Sequence, residues 1–275
     1  MNNPVIVYLA DKRGRLDDCG WYRFDCLCAS LKTVKLFLPP LPIVVFHEDF
    51  QQQDKERIWQ ILSDVVFEQV DFSGQEAYHV NNRPDGRCGA YGYCMMCRFF
   101  SGVVQAHPLI AEHTHYMRLD DDNYLVAPVP SAFLEGALKR DYTYSCTYSE
   151  PHPSCYAFGC DFLRQHSLPI PSYDVNVPYN NLHISSLRMW QIPLVQRYIA
   201  AVEAVHGCVA LGWQDTVIQS MILRGLGPSV GLDVYQDRQI SYRHNQQCVH
   251  LGPHTKYCRD GKNDQYPWGP PVCLE

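Results

Sequence analysis

Along the first third of the chain, apolar residues come in short runs separated by polar turns. Val5–Ala10 is rich in aliphatic and β-branched residues and stops at Asp11-Lys-Arg-Gly-Arg15, the pattern of a buried strand feeding a loop. From Trp21 to Val34 the apolar positions Phe24, Leu27, Cys28 and Leu31 recur at helical spacing, and Pro39, Pro40 and Pro42 forbid continuation. Ile43–Phe46 reads as a second strand. Gln51–Leu62 sets Ile58, Trp59, Ile61 and Leu62 on one side of a polar helix, and Val65–Phe72 reads as a third strand. This β-α-β-α-β order predicts an α/β fold with a mostly parallel sheet covered by helices.

Further along, a loop rich in Asn, Gly, Arg and Pro spans about Ser73–Gly92, and Met95–Gln105 reads as a helix. His115–Leu119 is a strand that runs into three aspartates. Tyr142–Tyr148 alternates like one strand, Ser154–Gln165 fits a short helix, and Pro169–Pro178 is an irregular crossing. One helix is expected over Leu187–Val205 despite Pro193, another over Gln214–Leu223, and a strand over Val230–Val234. No repeat or linker interrupts the chain, so a single domain over residues 1–275 is expected, with 245–275 as an irregular tail.

Composition narrows the class. At 46% hydrophobic and 19% charged, the chain can build a core and carries no excess of solvating charge. The formal net charge of −6 argues against a nucleic-acid binder working through a broad basic surface. The longest apolar stretch, Val34–Phe46, is cut by Lys35 and three prolines, short of the roughly 20 apolar residues of a membrane-spanning helix. The start reads as a first strand instead of a signal peptide. Thirteen cysteines cannot all pair within the chain, and Cys26, Cys28, Cys94, Cys97 and Cys146 sit in apolar surroundings, which points to a reducing compartment. Cys248, Cys258 and Cys273 could still hold one bridge.

The sharpest chemical signal is Arg118-Leu-Asp-Asp-Asp-Asn123. In open α/β sheets ligands bind beyond the carboxyl ends of strands, which is where these aspartates stand. Asp120 and Asp122 are hard oxygen donors two residues apart, suited to Mg²⁺ or Mn²⁺ if a bend turns both to one side. A diphosphate would complete such a shell, as in the Asp-x-Asp sites of nucleotide-sugar transferases. There is no GxxxxGK[ST] loop, no GxGxxG after the first strand, no HExxH and no GxSxG. Cys94-x-x-Cys97 lacks a second pair, and both it and the His152, Cys155, Cys160 group fit core packing better than zinc. On the residues alone, three readings stay open: a transferase, a metal-dependent phosphoesterase on the same aspartates, and a non-catalytic or degenerate glycan-binding module. Eighteen tyrosines and five tryptophans could supply stacking faces for the last.

Taken in order, Tyr93-Cys-Met-Met-Cys-Arg98-Phe, His107-Pro-Leu109, Tyr116-Met-Arg-Leu-Asp-Asp-Asp122, Tyr179-Asn-x-x-His183, Trp213-x-Asp215 and Ile240-Ser-Tyr-x-His244 resemble the motifs of the fungal α-1,2-mannosyltransferases, glycosyltransferase family 15. The resemblance runs from about Val5 to His244. It implies a GT-A type Rossmann-like mixed sheet flanked by helices, and a retaining hexosyl transfer, mannose from GDP-mannose with Mn²⁺, onto a glycan or glycoprotein hydroxyl. It implies that Asp120, Asp122 and His244 hold the metal, and that Arg13, Tyr93, Arg118, Asp120 and Asp121 meet the nucleotide-sugar. Arg98 and Asp215 would be catalytic, Arg98 with Tyr93 lining the sugar or acceptor side and Asp215 near the acceptor. The family's glutamate nucleophile, which follows the Tyr-Asn-x-x-His segment, has no counterpart in Ile184-Ser-Ser-Leu-Arg-Met-Trp190. With no membrane anchor in the sequence, the expectation is a cytoplasmic or virus-encoded relative, or a lumenal catalytic domain without its anchor.

Overall fold

The computed structural model describes residues 3–12, 22–80 and 90–244 together with the backbone of 248–250. The chain opens as expected: β1 (Pro4–Ala10), α1 (Arg23–Phe37), β2 (Ile43–His47), α2 (Gln52–Trp59) and β3 (Val65–Gln69). α3 (Tyr91–Arg98) runs through a π turn at Phe99–Val103 toward α4 (Pro108–Ala111) and β4 (His115–Leu119). Then come β5 (Asn123–Leu125), α5 (Ser131–Ala137), β6 (Tyr142–Tyr144), β7 (Thr147–Ser149), α6 (Pro153–Gln165), β8 (Asn176–Pro178) and β9 (Leu182–Ser186). The remainder is α7 (Leu187–Trp190), α8 (Pro193–Ala204), α9 (Asp215–Met221), α10 (Gly227–Val230), β10 (Val234–Gln236), β11 (Tyr242–His244) and β12 (Cys248–His250).

The main sheet has seven strands in the order β10-β6-β9-β4-β1-β2-β3. β3, β2, β1 and β4 are mutually parallel, while β9 runs antiparallel to both β4 and β6. Both faces of β1 are covered, which explains its continuous apolar run. Val5 and Val7 pack into the core that contains α6, α8 and α9 side chains, and Ile6, Tyr8 and Ala10 into the core that contains Leu27, Leu31 and Phe133 of α1 and α5. Two smaller sheets, β12-β11-β5 and β7-β8, sit beside the main one. The expected mixed α/β sheet flanked by helices is present. No helix among the described residues is long and apolar enough to cross a membrane.

Several expectations are corrected. Tyr142–Tyr148 is two strands in different sheets, because the chain leaves β6 at Ser145 and pairs again only through Thr147–Ser149 with β8. The Leu187–Val205 helix breaks after Trp190 and restarts with Pro193 in its first turn, where a missing N–H costs nothing. The last strand of the main sheet starts at Val234 instead of Val230, and the end of the Pro169–Pro178 crossing pairs as β8. Cys248–His250 departs from the irregular-tail expectation by pairing with β11. Cys258 and Cys273 lie outside the described residues. Cys97 and Cys155 are buried thiols in the core, in keeping with their apolar surroundings.

β9 was not legible as a strand. Its His183 is wholly buried, with Nδ1 2.8 Å from the Asn180 carbonyl oxygen and Nε2 2.9 Å from the Tyr116 hydroxyl, and it stacks on Tyr142 at 4.8 Å. Burial, helped by the nearby Arg118 charge, lowers its pKa from 6.5 to about 3. Between those values the unfolded chain binds a proton that the folded one refuses, so this group's contribution to stability falls as pH drops below 6.5 and levels off near 3. Urea unfolding followed across that range should show this acid limb, and His183→Gln should flatten it.

Candidate active site

The strand directions place the carboxyl ends of β1, β4 and β6 and the amino end of β9 at one edge of the sheet. At that edge β4 ends in Asp120. The Asp120 N–H donates to the Asn181 carbonyl oxygen (3.1 Å), and the Asn123 N–H closes the turn on the Asp120 carbonyl oxygen (3.0 Å). Asn181 also donates its Nδ2 to Asn123 Oδ1 (3.2 Å) and accepts from the Tyr242 hydroxyl (3.0 Å). One asparagine thereby ties together the end of β4, the entry to β9 and β11.

The turn leads into β5, which pairs antiparallel with β11 so that Asn123 stands opposite His244. This pairing brings His244 to the aspartates. Its Nε2 lies 3.2 Å from Asp122 Oδ1 and 4.0 Å from Asp120 Oδ2. Ligand atoms of Asp120, Asp122 and His244 all fall within 4.8 Å of one another, the only such group of three or more possible ligands found among the described residues. Two carboxylates and an imidazole fit Mn²⁺ or Mg²⁺, hard ions that take oxygen with some nitrogen. The electrostatics agree. Burial opposes the charge on Asp122 but His244 outweighs it and holds the carboxyl below its ordinary value; His244 is raised against its own burial, chiefly by Asp122. Asp120 is raised by burial despite Arg118.

Each carboxylate of the run has its own cation. Asp121 turns away from His244 and accepts from Arg23 at the start of α1; its Oδ2 is buried without a hydrogen-bond partner, and burial pushes its pKa up to about 7. Asp120 Oδ1 accepts from Arg118 Nε at 2.8 Å. Arg118, only 2% exposed, reaches on with Nη1 to Asp215 Oδ2 and lays its guanidinium over the Phe100 ring at 3.7 Å. Asp215 Oδ2 also accepts from Asn180 Nδ2 at 2.7 Å. Asp215 begins α9, where a negative charge suits the helix dipole, and the preceding Trp213 is buried with its indole N–H on Ser154 Oγ (3.0 Å).

Of the expected site residues, the structure brings together Arg118, Asp120, Asp122, Asp215 and His244. Asp121 adjoins them through Arg23. Tyr93 is exposed in the first turn of α3, its hydroxyl beside the Cys97 thiol and within electrostatic reach of Asp215. Arg98 is not brought into the cluster: its Nε donates to Glu203 Oε2 of α8 at 2.7 Å, a half-exposed ion pair. Arg13 lies outside the described residues. Arg23 and Asn181 were not anticipated, and Asn180 appeared only within the Tyr-Asn-x-x-His motif with no role assigned; the contacts of all three span the sequence.

Removing the shared cation would leave Asp215 buried and uncompensated. Arg118→Met should therefore destabilise the fold by about 3–5 kcal/mol, and Arg118→Lys should restore only part of it because an ammonium cannot reproduce the planar fork. Chemical denaturation of the two variants measures this.

No family model matches the chain. Over 175 residues it is 22% identical to the glycolipid 2-alpha-mannosyltransferase of Saccharomyces cerevisiae, covering 57% of this chain and 39% of that protein. Over 149 residues it is 24% identical to the O-glycoside alpha-1,2-mannosyltransferase omh1 of Schizosaccharomyces pombe, covering 47% and 38%. The matched segments thus span about two fifths of the length of these curated relatives. Among solved structures, core-mannan synthase A (CmsA/Ktr4) of Aspergillus fumigatus in its Mn/GDP form superposes with a TM-score of 0.72 at 15% identity, over 98% of this chain and 82% of that one. The mannosyltransferase Ktr4p of S. cerevisiae gives 0.73 at 16% identity, over 97% and 78%. The galactosyltransferase LgtC gives 0.51 at 13% identity, over 86% and 73%. The chain has the GT-A glycosyltransferase fold, and in sequence it is similar to the fungal α-1,2-mannosyltransferases.

Proposed function

We propose that the protein is a metal-dependent, retaining glycosyltransferase that moves a hexose, mannose from GDP-mannose, onto a hydroxyl of a glycan or glycoprotein. The observation that carries this reading is the convergence of Asp120, Asp122 and His244 at the carboxyl edge of a GT-A sheet. The Mn/GDP form of the fungal neighbour supports the choice of ion and nucleotide.

In this reading Asp120, Asp122 and His244 hold Mn²⁺. Held by these residues, such an ion would supply Lewis-acid stabilisation of the charge on a departing diphosphate, without proton transfer. Arg118 holds Asp120 and Asp215 in fixed positions relative to each other, so the metal side and the acceptor side keep their spacing. Tyr93, exposed in the first turn of α3 and within electrostatic reach of Asp215, lines the sugar side in this reading. Asp121, held by Arg23, faces the nucleotide with its unsatisfied Oδ2.

No carboxylate stands in the segment after His183, which is buried as the end of β9 and as α7 except at Arg188. Asp215, the buried carboxylate of the site outside the Asp120–Asp122 run, already shares Oδ2 between Arg118 and Asn180. These residues favour attack from the leaving-group face on a short-lived oxocarbenium-like ion pair, which asks for charge stabilisation and positioning and needs no protein nucleophile.

GDP with Mn²⁺ at about 100 times its dissociation constant should stabilise the protein by roughly 2.7 kcal/mol, against weaker effects from UDP, CMP or chelated samples. Asp122→Asn should abolish the metal-dependent part and lower turnover at least about 100-fold, as loss of several kcal/mol of charge stabilisation requires. Full turnover in that variant, read as GDP release from GDP-mannose with a mannoside acceptor, would overturn the assignment.

A further inference from the structure

His244 is on β11 in a small sheet, so its ring needs an anchor if Nε2 is to stay aimed between Asp120 and Asp122. The imidazole can turn about its Cβ–Cγ bond, and only Nδ1 is available to fix that rotation. Tyr179 supplies the contact: its hydroxyl lies 2.6 Å from His244 Nδ1, and the two rings meet edge to face at 5.3 Å and 84°. Tyr179 is itself held in place. Its N–H donates to the Cys146 carbonyl oxygen at 2.8 Å, and its ring packs on Tyr148 at 4.6 Å.

We propose that Tyr179 is the positioning residue of the metal site, its hydroxyl clamping His244 through Nδ1 so that Nε2 points at the gap between the two aspartates. This rests on the reading of Asp120, Asp122 and His244 as metal ligands. Metal-binding histidines are commonly oriented by a hydrogen bond at the other ring nitrogen. A carbonyl or carboxylate in that place can only accept, which dictates an N–H at Nδ1. A phenol hydroxyl both gives and takes a hydrogen bond. Tyr179 therefore keeps its bond to His244 whether Nε2 carries a proton facing Asp122 or offers its lone pair to an ion.

The test is Tyr179→Phe, which keeps the ring and removes the clamp. Mn²⁺ binding is read from the electron-paramagnetic-resonance signal of unbound Mn²⁺, with and without GDP. The variant should bind Mn²⁺ about 10- to 100-fold more weakly, and saturating Mn²⁺ should restore its kcat. In metal-free protein the ¹⁵N resonance of His244 Nδ1 should move while that of His183 stays. Unchanged affinity and an unmoved His244 resonance would overturn the positioning role alone. Failure of the wild-type protein to bind Mn²⁺ under either condition would overturn both this role and the transferase reading.

Discussion

Most of the site depends on one buried guanidinium. Arg118 projects from the central strand β4, is enclosed, and divides its donors between Asp120 and Asp215 while resting on Phe100. Those carboxylates come from the end of β4 and the start of α9, elements distant in sequence. A cation fixed by two acids and a ring face has little freedom, so it acts as a spacer of set length between them. Removing the arginine leaves two carboxylates without their shared cation, and removing either acid leaves donors of a buried guanidinium unpaired, so the three residues form an arrangement that is hard to alter one member at a time.

The charges around that spacer do not balance. Among the described residues, Asp120, Asp121, Asp122 and Asp215 face Arg23 and Arg118, and Asp11 adds to the field at Asp121. His244 is raised chiefly by Asp122, while burial does most to push Asp121 up to about 7. A surplus of carboxylates among these residues is what a divalent cation would offset, in keeping with the proposed metal site.

Much of the fold was legible because its elements obey a local period. β1, α1, β2, α2, β3 and β4 each carry a mainly apolar run or a helical stripe, and each formed close to where the pattern placed it, β3 ending three residues early at Gln69. β9 escaped because Leu182-His-Ile-Ser-Ser186 is half polar. Its buried polar groups are satisfied in the folded chain, His183 by Tyr116 sixty-seven positions away and Ser185 by the Trp190 indole in the helix that follows (2.7 Å), pairings that apolar periodicity does not display. β5 and β11 are three residues each, too short to show alternation. The same division holds in the site. Asp120 and Asp122 stood out by their place after a strand and His244 by resemblance, whereas Arg23 and Asn181 act through long-range contacts with no signature of their own, and the motif that contains Asn180 did not announce its bond to Asp215.

The pairing of β5 with β11 decides whether the three proposed metal ligands meet. Asp120 and Asp122 share one turn that Asn181 pins at the entry to β9, but His244 joins them only through a strand from much later in the chain that lands opposite Asn123. A slip of one residue would send the imidazole to the other face of that small sheet. The proposed ligand set therefore depends on a non-local pairing, the class of contact whose chain closure slows folding. Without that one short strand in register, the two aspartates would lack their histidine however well the main sheet was formed.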